Sequence, residues 1–515
     1  MLMVSPVFRT GMTQRHRFSS LEEMAEHSLS RRRAPEKSCY PDIDELYRAS
    51  LERAGVKDKL QIEECLLMAR QARERWELFA SMRPEAARLL ELARDFAKAF
   101  APFDTRDPDR IIYSAETVLM VALPATCCGC SDCRQIAAFW HNQNPMLQCL
   151  FEMPLPGCDI SDEEVRIILK MVPPDAFEDF FRQRFSDFRK GDPELSRDTA
   201  AEGGFKRTIG GNGQELRASY RKGESSRHRK GRNGVSLHDC DTRTVMDCTS
   251  AQKKNQEVES FTRMLGRIGL CAGQVVFYAD ALNTRQELVD FLNGKGIDWL
   301  LPVKKNGGNA DLMEGIAKAF EDHKDEAVTV TEAGKTGGRV EERTCSFLPA
   351  SALPEGLAYP GTGAIAIVDK RTEFPRIGCE KPRRPETSRI CYMSSLPYSE
   401  ENNRQIKHSL SVRWLCEAHH NTIDEVLLQD RRALCDENHL SAVIGLNKCA
   451  YNILTFARAR LSGRGYRRTK FRSRETERNA RLLSYQATVD IMANDILIAA
   501  DCICKYLSTQ PETKA

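Results

Sequence analysis

The chain lacks any long hydrophobic run. No uninterrupted apolar stretch approaches the ~18 residues needed to span a bilayer, which argues against an integral membrane protein. Its opening residues, MLMVSPVFRTGMTQRHRFSS, have no continuous apolar segment, so no secretory signal is expected there. A surplus of one charge is missing too: 76 Lys and Arg face 73 Asp and Glu, for a net +3. Taken alone, that balance argues against a strongly basic protein that coats nucleic acid. No repeat at fixed spacing occurs. The 19 cysteines are odd in number and scattered, and read as reduced thiols of a cytoplasmic protein. What is present is length. With 515 residues, 41% hydrophobic and 29% charged, the chain has material for about three domains at ~150 residues each.

The net charge hides two basic windows. Residues 203–233 carry nine Lys/Arg against two Glu, and residues 458–481 carry ten against two, with Tyr466 and Phe471 interleaved. Phosphate backbones reward such clusters through counterion release, and aromatic rings stack on exposed bases. Each window alone is equally well a solvated loop or tail.

Periodicity divides the chain. Residues 1–104 read as a helical N-terminal region, with apolar residues three and four apart, and 105–195 as a second helical block. Short apolar runs then alternate with helices (QVVFYAD, TRQELVDFLNGKG, DWLLPVKK, ADLMEGIAKAFEDH), the pattern of an α/β sheet. A strand-and-turn stretch, 327–396, reads as a β insertion, and helical pattern resumes from Asn402 to Leu461. Residues 461–515 read as a basic C-terminal tail.

Within the α/β part, QVVFYAD is a buried strand ending in Asp280, with Thr284 and Glu287 placed as a capping box for the next helix. A carboxylate at the carboxyl end of a central strand faces the crevice where α/β proteins do chemistry, although a turn residue would look the same. In KHSLSVRWLCEAHHNTIDEVLLQD, Val412, Leu415, Cys416, His419, Ile423 and Val426 form an apolar stripe. Glu417, Asn421 and Asp424 share another face, one turn after Arg413. That face is either a solvated ladder of ion pairs or part of a site. His419 and His420 are candidate metal ligands, with His419 read chiefly as a core residue.

The order of segments resembles the DDE-type transposases of bacterial insertion sequences, in particular the H-repeat-associated type. The resemblance runs through DPDRIIYSAETVLMVAL, CGCSDCRQIAAF, NGQELRAS, KNQEVESFTRML (Lys254, Glu257), VVFYADALNT (Asp280), LLPVKKN (Lys304, Asn306), GRVEER (Gly338, Arg339, Glu341, Arg343) and the pair Trp414 and Glu417. It spans about 105–455. It implies an α/β fold: an RNase H-like catalytic core over 200–460 with the β insertion, preceded by helical N-terminal domains, of which 105–195 binds DNA ends. It implies catalytic positions at Asn212, Asp280 and Glu417, with Asp280 and Glu417 as metal ligands for two Mg²⁺ (or Mn²⁺) ions. It also implies DNA contacts from Lys254, Lys304, Arg339, Arg343 and Arg413, to which the basic tail adds Arg467, Arg468 and Lys470. The expected partners are element ends and target DNA, with a homodimer or larger assembly on DNA in a bacterial cytoplasm. Magnesium prefers oxygen ligands, and two dications about 3.5–4 Å apart need carboxylate charge to offset their repulsion.

The pattern breaks at one place. Asn212 stands where the first catalytic Asp is expected, and a carboxamide offers one neutral oxygen without charge. The Gly210–Gly211 pair before it also predicts a weak strand. Together these imply an impaired transposase or, alternatively, a catalytically dead relic that still binds DNA. Lesser departures are Gly337 for a His, Arg413 beside the Trp, and Ala418 for an Asn after the Glu. Finally, Cys127, Cys128, Cys130 and Cys133 lie too close together for two paired zinc-ligand motifs, and are read as small packing residues, with zinc as the alternative.

Overall fold

The structure, a computed structural model, describes residues 58–82, 95, 98–107, 111–151, 160–191, 204–216, 219, 232–251, 256–270, 272–305, 308–336, 339–374, 384–429, 436–461 and 484–507. The chain forms two compact units: Met1–Pro173 with Val489–Ser508, and Pro174–Thr488 with Thr509–Ala515. Among the described residues no helix is long and apolar enough to cross a membrane.

The first unit contains helices α1 (Lys59–Met82), α2 (Ala115–Cys127), α3 (Cys133–Phe151) and α4 (Asp162–Met171). Ser114 caps α2 by accepting from the Thr117 amide at 3.3 Å. Ser161 caps α4 by accepting from Glu164 N at 3.1 Å, and Asp162, Glu163 and Glu164 favour the positive end of its dipole. Trp140 is buried edge-on to Tyr113, ring centroids 5.5 Å apart. Arg106 ties Asp104, Glu164 and the Tyr113 carbonyl together. Cys127 and Cys133 are buried, and Cys128 Sγ lies 3.3 Å from the Met492 carbonyl. Among the described residues these cysteines do not converge on a metal position.

The second unit is built on a sheet of nine described strands: β1 (Arg207–Leu216), β2 (Arg232–Asp239), β3 (Thr244–Ala251), β4 (Val275–Ala279), β5 (Asp298–Val303), β6 (Val328–Thr336), β7 (Arg339–Pro349), β8 (Ala364–Glu373) and β9 (Glu386–Ser394). Their order is β3-β2-β1-β4-β5-β9-β8-β7-β6. β1, β4 and β5 run parallel, while β2 and β3 extend the sheet antiparallel. This is a mixed α/β sheet with a parallel centre, as the α/β expectation required. The helices are α5 (Pro174–Gly191), α6 (Glu257–Ile268), α7 (Gln286–Lys295), α8 (Ala310–Asp322), α9 (Glu400–Val412), α10 (Trp414–Glu425) and α11 (Glu437–Leu461). After α11, α12 (Tyr485–Asn494) leads back into the first unit, to which α13 (Ile496–Leu507) belongs; both form within the stretch read from sequence as a tail. Their apolar residues Val489, Met492, Ile496, Ala499 and Ile503 are buried.

Alternation along the strands sorts residues to two faces. Ile209, Val275, Phe277, Ala279, Trp299, Leu301 and Val303 pack on one face with Val258, Phe261, Leu288, Leu292 and Ile316 of α6, α7 and α8. Val276, Leu300, Phe347, Ala366 and Tyr392 pack on the other with Ile406 and Leu410 of α9.

Two expectations are corrected. The Gly210–Gly211 pair does not weaken β1, which continues through ten residues. A Cβ at Gly211 would lie 2.7 Å from the Phe277 ring and 2.9 Å from that of Phe261, so glycine is what the close packing of α6 on the sheet requires. The capping box at Thr284 does not form. Its hydroxyl donates to the Pro302 carbonyl at 2.7 Å, and α7 starts at Gln286 after an uncapped Arg285. Thr284 thus binds the crossover to β5 instead.

Candidate carboxylate site

The site is assembled by register. Gly211 of β1 pairs with Ala279 of β4. The next residue on each strand is Asn212 and Asp280, and both belong to the face covered by α9 and α10. Strand alternation puts Tyr278 and Asp280, Pro302 and Lys304, and Ile390 and Tyr392 on that same face. A cavity of about 370 Å³ opens there, lined by Gly210, Asn212, Asp280, Lys304, Tyr392 and Arg413 among others. A second hollow of about 440 Å³ lies among β7, β8 and β9, lined by Asp369, Lys370, Arg371 and Arg389. It contains none of the candidate catalytic positions.

Asp280 is half exposed, and its Oδ1 accepts from the Ala281 amide at 2.7 Å, capping a short 3-10 turn over Ala281–Asn283. Lys304 Nζ stands 3.8 Å from the same oxygen. Arg413 occupies the junction of α9 and α10 and is 7% exposed. Its guanidinium donates to the Tyr278 hydroxyl at 2.8 Å and lies 5.4 Å and 5.8 Å from the ring centroids of Tyr278 and Tyr392. These rings hold the cation by electrostatic attraction to their faces.

Helix α10 lies along β1. At its start Arg413 reaches Tyr278, which pairs with Gly210. Farther on, His420 and Asp424 both bind Gln214: His420 Nδ1 lies 2.9 Å from Gln214 Oε1, and Gln214 Nε2 donates to Asp424 Oδ1. The backbone of Glu417 falls on the turn between these two anchor points, as Asn212 falls between Gly210 and Gln214. On the opposite face, Glu257 Oε2 accepts from Asn283 Nδ2 at 2.8 Å, and its carboxylate fills the space where a Cβ at Gly213 would sit.

The remaining expected residues are dispersed. Arg343 is in the insertion, 2.7 Å from Glu341, which Lys370 also holds at 3.0 Å. Those two cations outweigh burial and keep the Glu341 carboxyl below its usual range. Arg339 begins β7, and its side chain, with that of Glu417, lies outside the described atoms. Lys254, Asn306, Gly337, Gly338, Arg467, Arg468 and Lys470 lie outside the described residues. Sequence reading passed over Tyr278, Gln214 and Tyr392. Tyr278 had a signal, since it precedes Asp280 by two residues on a strand and so shares its face.

Residues 204–453 match the family model described as Transposase DDE domain, and residues 103–184 match the one described as DDE_Tnp_1-associated. No curated protein matches the chain. A solved piggyBac transposase synaptic complex with hairpin DNA is 9% identical, covering 78% of this chain and 77% of that one, with a TM-score of 0.33, a loose likeness. With the two models matched in succession, the first ending within α5 and the second starting just before β1, the chain belongs to the DDE-type transposases of the H-repeat-associated type, a family of polynucleotidyl-transfer enzymes.

Proposed function

We propose that this protein processes the DNA ends of a bacterial insertion sequence through a site built on Asp280 and Glu417, and that Asn212 impairs the chemistry. The observation that carries the reading is the register that puts Asn212 beside Asp280 at the cavity.

The donors fit a hard divalent cation such as Mg²⁺ or Mn²⁺: Asp280 offers a half-exposed carboxylate to the cavity, and Asn212 a carboxamide oxygen. They fit one such ion better than two, because the first position contributes no charge and the Lys304 ammonium already offsets Asp280. When bound, the metal supplies Lewis acidity to the attacking water or 3′-hydroxyl and to the leaving 3′-oxygen. Lys304 and Arg413, on two sides of the cavity, are placed to hold the scissile phosphodiester. Arg413, fixed by Tyr278 and Tyr392, sets the phosphate's orientation without spending rotamer freedom on binding. Two copies acting together would be needed to join two ends.

A second reading is favoured by the same residue: a protein that grips element ends without cutting them. A duplex carrying the DNA that flanks this gene separates the two. The parent is expected to bind it, to cut it at least 100-fold more slowly than Asn212→Asp with Mg²⁺, and to lose the remainder in Asp280→Ala. Equal cleavage by parent and Asn212→Asp would overturn the impairment. Binding with no cleavage by either protein would favour the relic.

A further inference from the structure

Beside the carboxylate site, three imidazoles from two elements meet. His238 is on β2 opposite Gly210, while His419 and His420 are on α10. One ring nitrogen of each lies within 4.8 Å of one on each of the others, and among the described residues this is the sole such gathering of His, Cys or carboxylate groups. Ring centroids are 3.9 Å apart for His238 and His419 and 5.0 Å for His419 and His420.

Histidines that serve only to fill a core have their ring nitrogens satisfied, because an unpaired buried polar atom gives up its hydration with nothing in return. Here His419 Nδ1 and His420 Nε2 are buried with no hydrogen-bond partner. The surrounding bonds assign the tautomer of His420. Gln214 donates through Nε2 to Asp424, so its Oε1 is an acceptor and His420 Nδ1–H is the donor to it at 2.9 Å. The orphaned Nε2 of His420 therefore carries a lone pair. A hydrogen bond from the far ring nitrogen to a carbonyl oxygen is how metal-ligating histidines are oriented. Lys448 Nζ sits 3.5 Å from His419 Nε2, leaving Nδ1 as the orphaned nitrogen of that ring. Burial holds His238 and His419 well below the ordinary imidazole range and His420 at about 3, so all three rings are neutral at pH 7.

We propose that His238, His419 and His420 hold one transition-metal ion, Zn²⁺ by ligand chemistry, which staples α10 to β2. Imidazole suits zinc, whereas carboxylate and carbonyl oxygens suit magnesium, so the two sites select different ions. Zn–N bonds of about 2.0–2.1 Å put tetrahedral nitrogens about 3.4 Å apart, so the rings close by a little over an ångström at most on binding. A fourth ligand such as water would complete a tetrahedral coordination. The ion would fix the helix one turn beyond Glu417 and hold it against the strands of Asn212 and Ser236. The proposal requires no carboxylate and stands apart from the DNA-processing reading.

The test uses the full-length protein, freed of metal and titrated with Co²⁺ and then Zn²⁺. One Co²⁺ per chain with visible tetrahedral d–d absorption is expected, displaced stoichiometrically by Zn²⁺. His420→Gln and His238→Asn should each weaken Co²⁺ binding by at least about 10-fold. His323→Gln, at a half-exposed histidine outside both sites, should leave it unchanged. No absorption in the parent, retention in both histidine variants, or loss in His323→Gln would overturn the site. A measurement that needs no variant is imidazole ¹⁵N NMR of the parent. Zn²⁺ should move a ring nitrogen of three histidines, and movement of fewer would contradict the proposal.

Discussion

Asn212 and Asp280 occupy the same step of two parallel strands, each immediately after the paired residues Gly211 and Ala279. A carboxylate at both positions would place like charges side by side, stable only with a cation between them. Asn212 removes that conflict and, under the proposed function, would take with it much of the site's hold on metal.

Asn212→Asp should therefore lower the melting temperature in chelator and restore or exceed it in Mg²⁺. At 100 times the dissociation constant, bound metal stabilises by about 2.7 kcal/mol. The parent should respond less. Thermal melts across a Mg²⁺ series test this, and identical shifts in the two proteins would count against a metal site at this position.

Gly211→Ala should destabilise the second unit by about 1–3 kcal/mol, because its methyl meets the rings of Phe277 and Phe261. Gly266→Ala is the matched control. It lies in α6 with nothing within 4 Å of an added Cβ, and should gain about 0.5–1 kcal/mol. Urea denaturation of both variants measures the difference, and a neutral Gly211→Ala would refute the packing account.

Arg267 holds two buried carboxylates, Asp247 at 2.8 Å and Glu178 at 3.2 Å. Burial outweighs the arginine and raises both carboxyls above their usual range. Arg267→Leu should cost about 3–5 kcal/mol at pH 7, since it strips Asp247 of its close ion pair and leaves Glu178 only the more distant Arg263 at 3.9 Å. Both pKa values then rise further, so the folded state takes up protons before the unfolded chain does. The loss is greatest above the raised folded pKa values and shrinks as pH falls towards the unfolded values of 4.5 and 3.8. Denaturation at pH 7 and pH 4.5 decides it. A deficit that grows in acid would show the wrong sign.

Lys304→Ala should weaken binding to duplex DNA and reduce the slope of log affinity against log salt by about one. Lys305→Ala should leave the slope alone, because its ammonium lies 3.6 Å from Glu314 and does not line the cavity. Fluorescence anisotropy at several salt concentrations distinguishes the two lysines.

Asp280 was readable in the sequence because a run of apolar residues ends in a lone acid, a pattern carried by neighbouring positions. The alternation that sets Lys304 on the same face was equally local. Gly211 was misread, since a glycine that weakens a strand and one that admits two phenyl rings look alike until α6 is docked. Thr284 and Glu287 had the spacing of a cap, yet the hydroxyl found the Pro302 carbonyl on β5, a partner that local pattern does not reveal. His238 gave no signal at all. It lies far from His419 in sequence, and strand pairing beneath α10 brings them together.

The insertion reads in sequence as an appendage, but β9 hydrogen-bonds to β5 from Leu300 to Val303, and its Ile390 and Tyr392 wall the cavity. Excising 328–394 would strip β5 of a neighbour and leave an open edge, a template for other chains to pair on. Lineages of this protein are thus free to shorten β6, the outermost strand, but not to discard the segment. Truncated copies should accumulate as aggregates rather than as smaller working enzymes.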